Sequence, residues 1–202
     1  MSPTTRVTRA SILDAAIAVY NRDGARGFSM RAVAAELGIT ATAIYRHYPD
    51  KAALARALLD RARQLLGGFL LDGIRGNDSL ERLWSCADSY MRFVGEHPQL
   101  YRLLFLDPLE EMLPHIRSVE DRHEAFPLHF VIDRIREAME DGLLGRRDPA
   151  LAALTVWAHL HGLCSLSLAG RVPAESLPTV ARASLKHLYE GLRSENRDEE
   201  TN

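Results

Sequence analysis

The stretch that decides the fold is FSMRAVAAELGITATAIYRHYPDKAAL, residues 28–54, because it contains the same helix-start pattern twice. Ser29 and Thr40 each carry a hydroxyl that can accept a hydrogen bond from a free backbone N–H at the start of a helix. Apolar residues flank each of them at the spacing of a hydrophobic staple: Phe28 with Val33, and Ile39 with Ile44. Gly38 lies between the two units and is typical of a residue that ends a helix. The stretch therefore predicts two short helices joined by a tight turn, a helix-turn-helix.

The second of these helices begins with unusually small side chains on its outward face. Ile44 and Tyr48 lie four residues apart and are expected to point inward. Ala41, Thr42 and Tyr45 then share the outward face. The major groove of DNA admits an α-helix, and threonine or alanine methyl groups can contact a thymine methyl while the threonine hydroxyl bonds a base edge. We therefore expect this face to lie in a major groove.

Polar residues around that face are placed to meet phosphate groups. The helix that begins after Asp50 offers free backbone N–H groups, which favour a phosphate at that end. The side chains expected near the DNA backbone are Tyr45, His47 and Lys51, with Ser29 and Arg31 from the preceding helix. A purely structural interpretation stays open for several of them. Tyr45 could pack against the first helix, His47 could cap a carbonyl, and Arg46 could be solvated.

Composition and charge are compatible with this interpretation. The chain has 202 residues, is 47% hydrophobic and carries a net charge of −2. Residues 1–64 contain ten Arg and Lys against five Asp and Glu, a net charge of +5, whereas residues 65–202 carry a net charge of −7. A basic head on an acidic body suggests that the head meets a polyanion. Without a run of about 18 apolar residues or an apolar leader, the protein is expected in the cytoplasm.

Helical spacing of apolar residues dominates the whole chain and predicts nine helices with no sheet. The predicted helices span about 6–21, 29–37, 40–48, 50–66, 79–96, 98–106, 120–141, 150–169 and 176–192. We divide the chain into a helix-turn-helix domain (1–54), a connecting helix (55–75), an effector-binding and dimerisation domain (76–193) and a disordered acidic tail (194–202). Cys86 and Cys164 fit no metal or redox spacing and are expected to be buried free thiols.

Residues 6–54 resemble the DNA-binding domain of TetR-type transcriptional regulators. That family's pattern is roughly Gly-Val-Ser/Thr, three variable residues, Leu-Tyr, any residue, His-Phe, and a short break before Lys. Here the pattern is matched by Gly38, Ile39, Thr40, Ile44, Tyr45, His47, Tyr48 and Lys51. The resemblance implies an all-α homodimer with a three-helix DNA-binding head on a larger body. It assigns phosphate contacts to Thr40, Tyr45, His47 and Lys51, and base readout to Ala41 and Thr42 with help from Arg31.

The body carries a second resemblance. Trp157-Ala-His-Leu-His-Gly162 and the residues that follow are similar to the C-terminal domain of TetR-type regulators with a Trp-His-Gly signature. His159 and His161 are two apart and face different sides of a helix, so they make a poor metal pair, whereas His161 shares a face with Trp157. That pair either forms a helix–helix contact or lines an apolar effector pocket. The pocket would also contain Trp84, Met91, Phe105, Phe126 and Phe130.

The last two helices have apolar stripes and small residues, which suit a four-helix dimer interface, although the stripes alone would fit an internal core equally well. No phosphate loop, nucleophile elbow or metal-ligand run is visible, so we expect neither an enzyme nor a cofactor. The sequence thus predicts a homodimeric repressor on double-stranded DNA, released from a palindromic operator by a small apolar effector. The alternative is a helical adaptor that binds protein partners without reading DNA.

Overall fold

Helices alone build the part of the chain that the structure, a computed structural model, describes: residues 7–106 and 126–194. The helices are α1 (Arg9–Gly27), α2 (Met30–Glu36), α3 (Ala41–Tyr45), α4 (Lys51–Asp72), α5 (Ser79–Glu96), α6 (Pro98–Phe105), α7 (Phe126–Glu140), α8 (Pro149–Leu168) and α9 (Leu177–Ser194), with a 3-10 turn (Ala174–Ser176) before α9. The prediction of an all-α fold with nine helices is confirmed for these residues.

Helix ends differ from the predictions where local signals were weak. Helix α4 continues through Gly67 and Gly68 to Asp72, beyond the predicted end at Leu66. Helix α1 begins at Arg9 and extends to Gly27, although Gly24 inside it has a φ of 63° and marks a kink. The predicted start of a helix at residue 120 and the tail beyond residue 194 lie outside the described residues.

The described residues form two compact units. The first comprises residues 7–65 together with 97–106, and the second comprises residues 66–96 and 126–194. The units divide the chain differently from the predicted domains, because α6 belongs with the head, where it packs against α1. The predicted division into a DNA-binding domain ending at residue 54 and an effector-binding domain beginning at residue 76 stays a prediction.

The first unit is centred on apolar side chains from its helices. Those with almost no exposed surface include Ile12, Val19, Tyr20, Phe28, Val33, Ile44, Leu54, Leu58, Leu100 and Tyr101. The rings of Tyr20 and Phe28 meet edge to face, with centroids 5.9 Å apart. Full burial of one large apolar side chain contributes about 1.5–3 kcal/mol. The short helices depend on such packing, α2 against α1 and α3 against α2, since isolated helices of this length are unstable in water.

The second unit packs α5, α7, α8 and α9 together. Its buried side chains include Leu83, Phe93, Ile135, Ala153, Leu160, Ala181 and Leu185. Arg82 of α5 forms an ion pair with Glu137 of α7, which Arg134 also contacts at 3.2 Å. Cys86 and Cys164 are buried free thiols, as the sequence predicted. Burial raises the pKa of Cys86 to about 11 and that of Cys164 to about 12.

Candidate nucleic-acid interface and body cavity

The turn between α2 and α3 is fixed by backbone hydrogen bonds around a glycine. Gly38 has a φ of 65°, in the left-handed region. Its N–H donates to the Ala35 carbonyl at 3.1 Å, and the Ile39 N–H donates to the Ala34 carbonyl at 3.0 Å. This pairing is a Schellman motif, which satisfies the last carbonyls of α2 and turns the chain sharply. Ser29 accepts a hydrogen bond from the Ala32 N–H at 3.1 Å, so its predicted role as the N-cap of α2 is confirmed.

Helix α3 presents the face that the sequence predicted. Ile44 and Tyr48 are buried, whereas Thr42 is exposed and Tyr45 is 50% exposed. Ala41 is half-buried at the start of the helix. Thr42 and about half of the Tyr45 side chain are thus open to solvent on this face, so Tyr45 is not part of the buried core.

The cap of α3 differs in one respect from the prediction. Thr40 occupies the N-cap position with extended backbone angles, but its side chain makes no capping hydrogen bond. The residue is exposed. Burial of Ile44, with no exposed surface, anchors this five-residue helix instead. The predicted cap hydrogen bond is therefore wrong, and the Thr40 hydroxyl lies at the surface beside the outward face of α3.

The start of α4 follows a sharp break after α3. Asp50 accepts a hydrogen bond from the Ala53 N–H at 2.7 Å and so caps the helix, as predicted. Lys51, the first residue of α4, is exposed, and its Nζ lies 5.8 Å from the centroid of the Phe28 ring. Arg31 is exposed near the start of α2, and His47 is half-buried in the turn. All eight predicted DNA-contact residues thus lie between Ser29 and Lys51, in or directly beside α2, α3 and the start of α4, within the first compact unit.

Arg9 contacts the turn after α3, which the sequence analysis did not predict. Its Nη1 donates to the His47 carbonyl at 2.9 Å, and its guanidinium lies 4.5 Å from the centroid of the Tyr48 ring. The Tyr48 hydroxyl in turn donates to the Arg9 carbonyl at 3.2 Å. Two signals point to it: a cation at the first position of a helix, and a tyrosine where the family pattern has phenylalanine.

The predicted effector residues lie on four helices, α5, α6, α7 and α8. Trp157 and His161 lie together on α8, with ring centroids 5.4 Å apart, and His161 Nδ1 is 3.4 Å from the Tyr90 hydroxyl. Burial lowers the pKa of His161. Met91 is buried in α5, and Phe130 lies beside Arg134, whose guanidinium is 5.7 Å from its ring centroid.

Two of the remaining predicted pocket residues differ in placement. Phe105 belongs to the first compact unit, next to Tyr101 at 5.1 Å, whereas the other described members belong to the second. The side chain of Phe126 lies outside the described residues. The apolar pocket as a set of seven residues stays a prediction.

A cavity of about 500 Å³ opens on the second unit between α5 and α9. Its lining is Glu81, Trp84, Ser85, Asp88, Arg182 and Lys186. The rings of Trp84 and Tyr189 are tilted at 60° with centroids 4.7 Å apart, and the buried Tyr189 hydroxyl has no hydrogen-bond partner among the described residues. Asp88 accepts two hydrogen bonds from Arg182, one of them at 3.3 Å from Nε, and this pairing raises the pKa of Arg182. Among the predicted pocket residues whose side chains the structure describes, only Trp84 lines this cavity, and the other lining residues have polar or charged side chains.

Helix α8 has an apolar surface on the side away from the core. It contains no Asp, Glu, Lys or Arg from Pro149 to Leu168. Leu151, Leu154 and Leu166 are 63%, 44% and 47% exposed, and Val180 of α9 is 39% exposed. By length and composition alone α8 could cross a membrane, with a mean hydropathy of 1.4, but it packs against α7 and α9 within the second unit.

Comparison with known proteins covers both units. Residues 12–58 match the family model of bacterial regulatory proteins of the tetR family, and residues 83–192 match the model described as tetracyclin repressor-like, C-terminal domain. The HTH-type transcriptional repressor SCO4008 of Streptomyces coelicolor is 26% identical over 157 residues, which cover 75% of this chain and 78% of that protein. The HTH-type transcriptional repressor DrrR1 of Streptomyces coeruleorubidus is 37% identical over 62 residues, 31% of this chain and only 23% of that protein.

The fold is also found among solved structures. A protein with unknown function from Rhodococcus sp. RHA1 superposes with a TM-score of 0.81 at 24% identity, covering 95% of this chain and 99% of that one. A TetR family transcriptional regulator named PfmR, from Thermus thermophilus, has a TM-score of 0.68 at 21% identity, covering 90% and 98%. At these identities the likeness shows the fold. The finer resemblance to the Trp-His-Gly subgroup stays a prediction.

Proposed function

The chain belongs to the TetR family of bacterial regulatory proteins, and we propose that it acts as a homodimer that holds a palindromic operator until a small molecule binds its body. As a member of that family it is a DNA-binding transcriptional regulator, and the adaptor alternative is not favoured. What the proposal adds is which surface reads DNA, which surface pairs with a second copy, and how release occurs. Its place of action is the cytoplasm, where the DNA is.

The observation that carries the proposal is the bare outer face of α3. Thr42 and Tyr45 are exposed on a helix whose opposite side is buried through Ile44. In the proposed complex Ala41 and Thr42 contact base edges in the major groove. Exposed Thr40, Tyr45 and Lys51 would bind the phosphates on either side, because Thr40 precedes α3, Tyr45 ends it and Lys51 begins α4.

Helix α8 supports pairing with a second copy of the chain. Its exposed side carries three leucines and no charged residue. In a monomer this apolar surface stays in contact with water, which costs free energy. The same face on a two-fold related copy would cover it, with Val180 of α9 at its margin. Gly162 of α8 has no other atom within 4 Å of the position its Cβ would take, so two helices can approach closely there.

A dimer places two copies of α3 on one duplex. A two-fold protein then matches a two-fold operator, whose half-sites lie about one helical turn apart or a multiple of it. Release requires a ligand that binds better to a dimer with differently spaced heads. Helix α4 runs without interruption from the DNA-facing Lys51 to Asp72, so it is the element through which the body would act on the head.

The test is selection of bound duplexes from a random DNA pool by the purified full-length protein. The expected result is enrichment of one palindromic sequence, and the variant Thr42→Ala should recover a sequence altered at one position in each half-site. Absence of any enriched sequence would contradict sequence-specific binding. An unaltered preference in the Thr42 variant would contradict the assignment of the α3 face while leaving DNA binding intact.

A further inference from the structure

Arg9 occupies a position that helix physics disfavours for a cation. It is the first residue of α1, directly after the N-cap Thr8, which forms a reciprocal capping box with Ser11. The N-terminal end of a helix carries a partial positive charge, so an arginine there is repelled by its own helix. A residue that breaks a local rule needs a compensating contact elsewhere. The compensation here is found 38 and 39 residues further along the chain.

Arg9 makes three contacts with the end of α3. The Nη1 atom donates a hydrogen bond to the His47 carbonyl at 2.9 Å. The guanidinium carbon lies 4.5 Å from the centroid of the buried Tyr48 ring, within the range of a cation–π interaction. The Tyr48 hydroxyl donates back to the Arg9 carbonyl at 3.2 Å. The two residues therefore bind each other reciprocally, side chain to backbone and side chain to side chain.

The carbonyl that Arg9 binds belongs to His47, in the turn that follows α3. His47 follows the last turn of α3, where the final carbonyls of a helix lack intrahelical donors. Pro49, two residues later, has no N–H to offer. A cationic side chain at a helix C-terminus can bond such a carbonyl and also complements the helix dipole. Arg9 thus binds the turn between the end of α3 at Tyr45 and the start of α4 at Lys51.

We propose that Arg9 is a positioning residue for DNA binding, which holds the turn of residues 46–50 in its DNA-competent conformation before the duplex arrives. The proposal rests on the assignment of Tyr45, His47 and Lys51 to the phosphate backbone. Those three residues lie before, within and directly after this turn. If the turn is already ordered in the free protein, DNA binding loses less conformational entropy, and the affinity is higher without any direct contact by Arg9.

The experiment uses the full-length protein and the duplex that the wild type selects from a random pool. We expect Arg9→Ala to weaken binding about tenfold, the lower end of the range for one charge-assisted hydrogen bond. Arg9→Lys should weaken it about as much, since an ammonium does not lie flat on a ring while it bonds a carbonyl. Tyr48→Phe keeps the ring and loses one neutral hydrogen bond, so a loss of about two- to threefold is expected. Arg61→Ala, an exposed arginine in the middle of α4, is the matched control and should bind as the wild type does.

Two readouts separate positioning from the other roles that Arg9 could have. The slope of log K against log salt concentration should not change in Arg9→Ala, because no phosphate contact is lost. Hydrogen exchange in the free protein should become faster for amides of residues 46–50 and stay the same around residue 61. The wild type and Arg9→Ala are compared at a temperature at which circular dichroism shows both of them folded.

Each contrary result has a definite meaning. A salt slope that is shallower by about 0.9, with Arg9→Lys restoring the affinity, would make Arg9 a phosphate contact and overturn the proposal. Unchanged DNA affinity with a lower melting temperature would reduce Arg9 to a purely structural contact, and unchanged exchange at residues 46–50 would also contradict the proposal. If the wild type itself selects no sequence, the proposed DNA-reading function fails, which is a separate outcome.

Discussion

The turn of the helix-turn-helix allows a prediction whose sign depends only on backbone conformation. Gly38 and Gly68 both have open space where a Cβ would stand, with no atom within 4 Å, so an added methyl group meets no obstacle at either position. Gly38 has a φ of 65°, whereas Gly68 lies in the interior of α4. The same substitution, Gly→Ala, should therefore have opposite effects at the two positions.

The magnitudes follow from the two conformations. At Gly38 an alanine in the left-handed region costs about 1–2 kcal/mol, and the more restricted unfolded chain returns about 0.4–1 kcal/mol. The net destabilisation is about 1 kcal/mol, which in a chain of this size lowers the melting temperature by roughly 2–4 °C. At Gly68 alanine should stabilise by about 0.5–1 kcal/mol, because glycine is unfavourable inside a helix.

The assay is thermal unfolding followed by circular dichroism at fixed protein concentration, with urea titration as a second measure of the free energy of unfolding. The reasoning requires Gly38→Ala to unfold earlier than the wild type and Gly68→Ala to unfold later. A stabilised Gly38→Ala would show that the turn does not hold a left-handed residue. A destabilised Gly68→Ala would show that α4 does not run as one helix through Gly67 and Gly68.

Three further predictions concern DNA, the dimer and pH. Lys51→Ala should weaken binding to all DNA sequences alike and lower the salt slope by about 1, whereas Thr42→Ala should change base preference by about 1–3 kcal/mol at one position; filter binding across salt and sequence distinguishes them. Leu154→Glu should weaken the dimer by about tenfold or more, because a charge replaces apolar area that would be buried twice, and sedimentation equilibrium measures it; an unchanged dimer would move the interface away from α8. The thiols of Cys86 and Cys164 are held neutral by burial, with pKa values of about 11 and about 12 against an ordinary 9.0. Since the unfolded thiols ionise first, their contribution to stability is complete below pH 9 and is lost as the pH rises through 11 and 12; urea unfolding should show this fall, and a double alanine variant should flatten it.

Local patterns were a reliable guide where one residue and its near neighbours determine the conformation. Ser29 caps α2, Asp50 caps α4, and Gly38 turns the chain, each through hydrogen bonds to residues within five positions. The burial of Ile44 and Tyr48 also followed from helical spacing, which leaves only one side of α3 for DNA. The exposed face of α3 could therefore be derived almost completely from residues 28–54.

Contacts between distant segments could not be derived in this way. The pairing of Arg9 with residues 47 and 48, the packing of α6 against α1, and the polar surroundings of Trp84 all join residues that are far apart in the chain. An aromatic residue at helical spacing has the same pattern whether it faces the core, a cavity or a partner. For this reason the set of effector residues stays a prediction.

The sequence by itself determined the nine described helices, the helix-turn-helix and the side of α3 that faces away from the core, because capping and helical periodicity act over a few residues. Only the tertiary structure decided which compact unit α6 joins, which residues line the cavity beside Trp84, and what anchors the turn after α3. These depend on where helices meet in space. The free energy of such contacts comes from burial and hydrogen bonding between distant segments, and no local sequence pattern in one segment identifies the other.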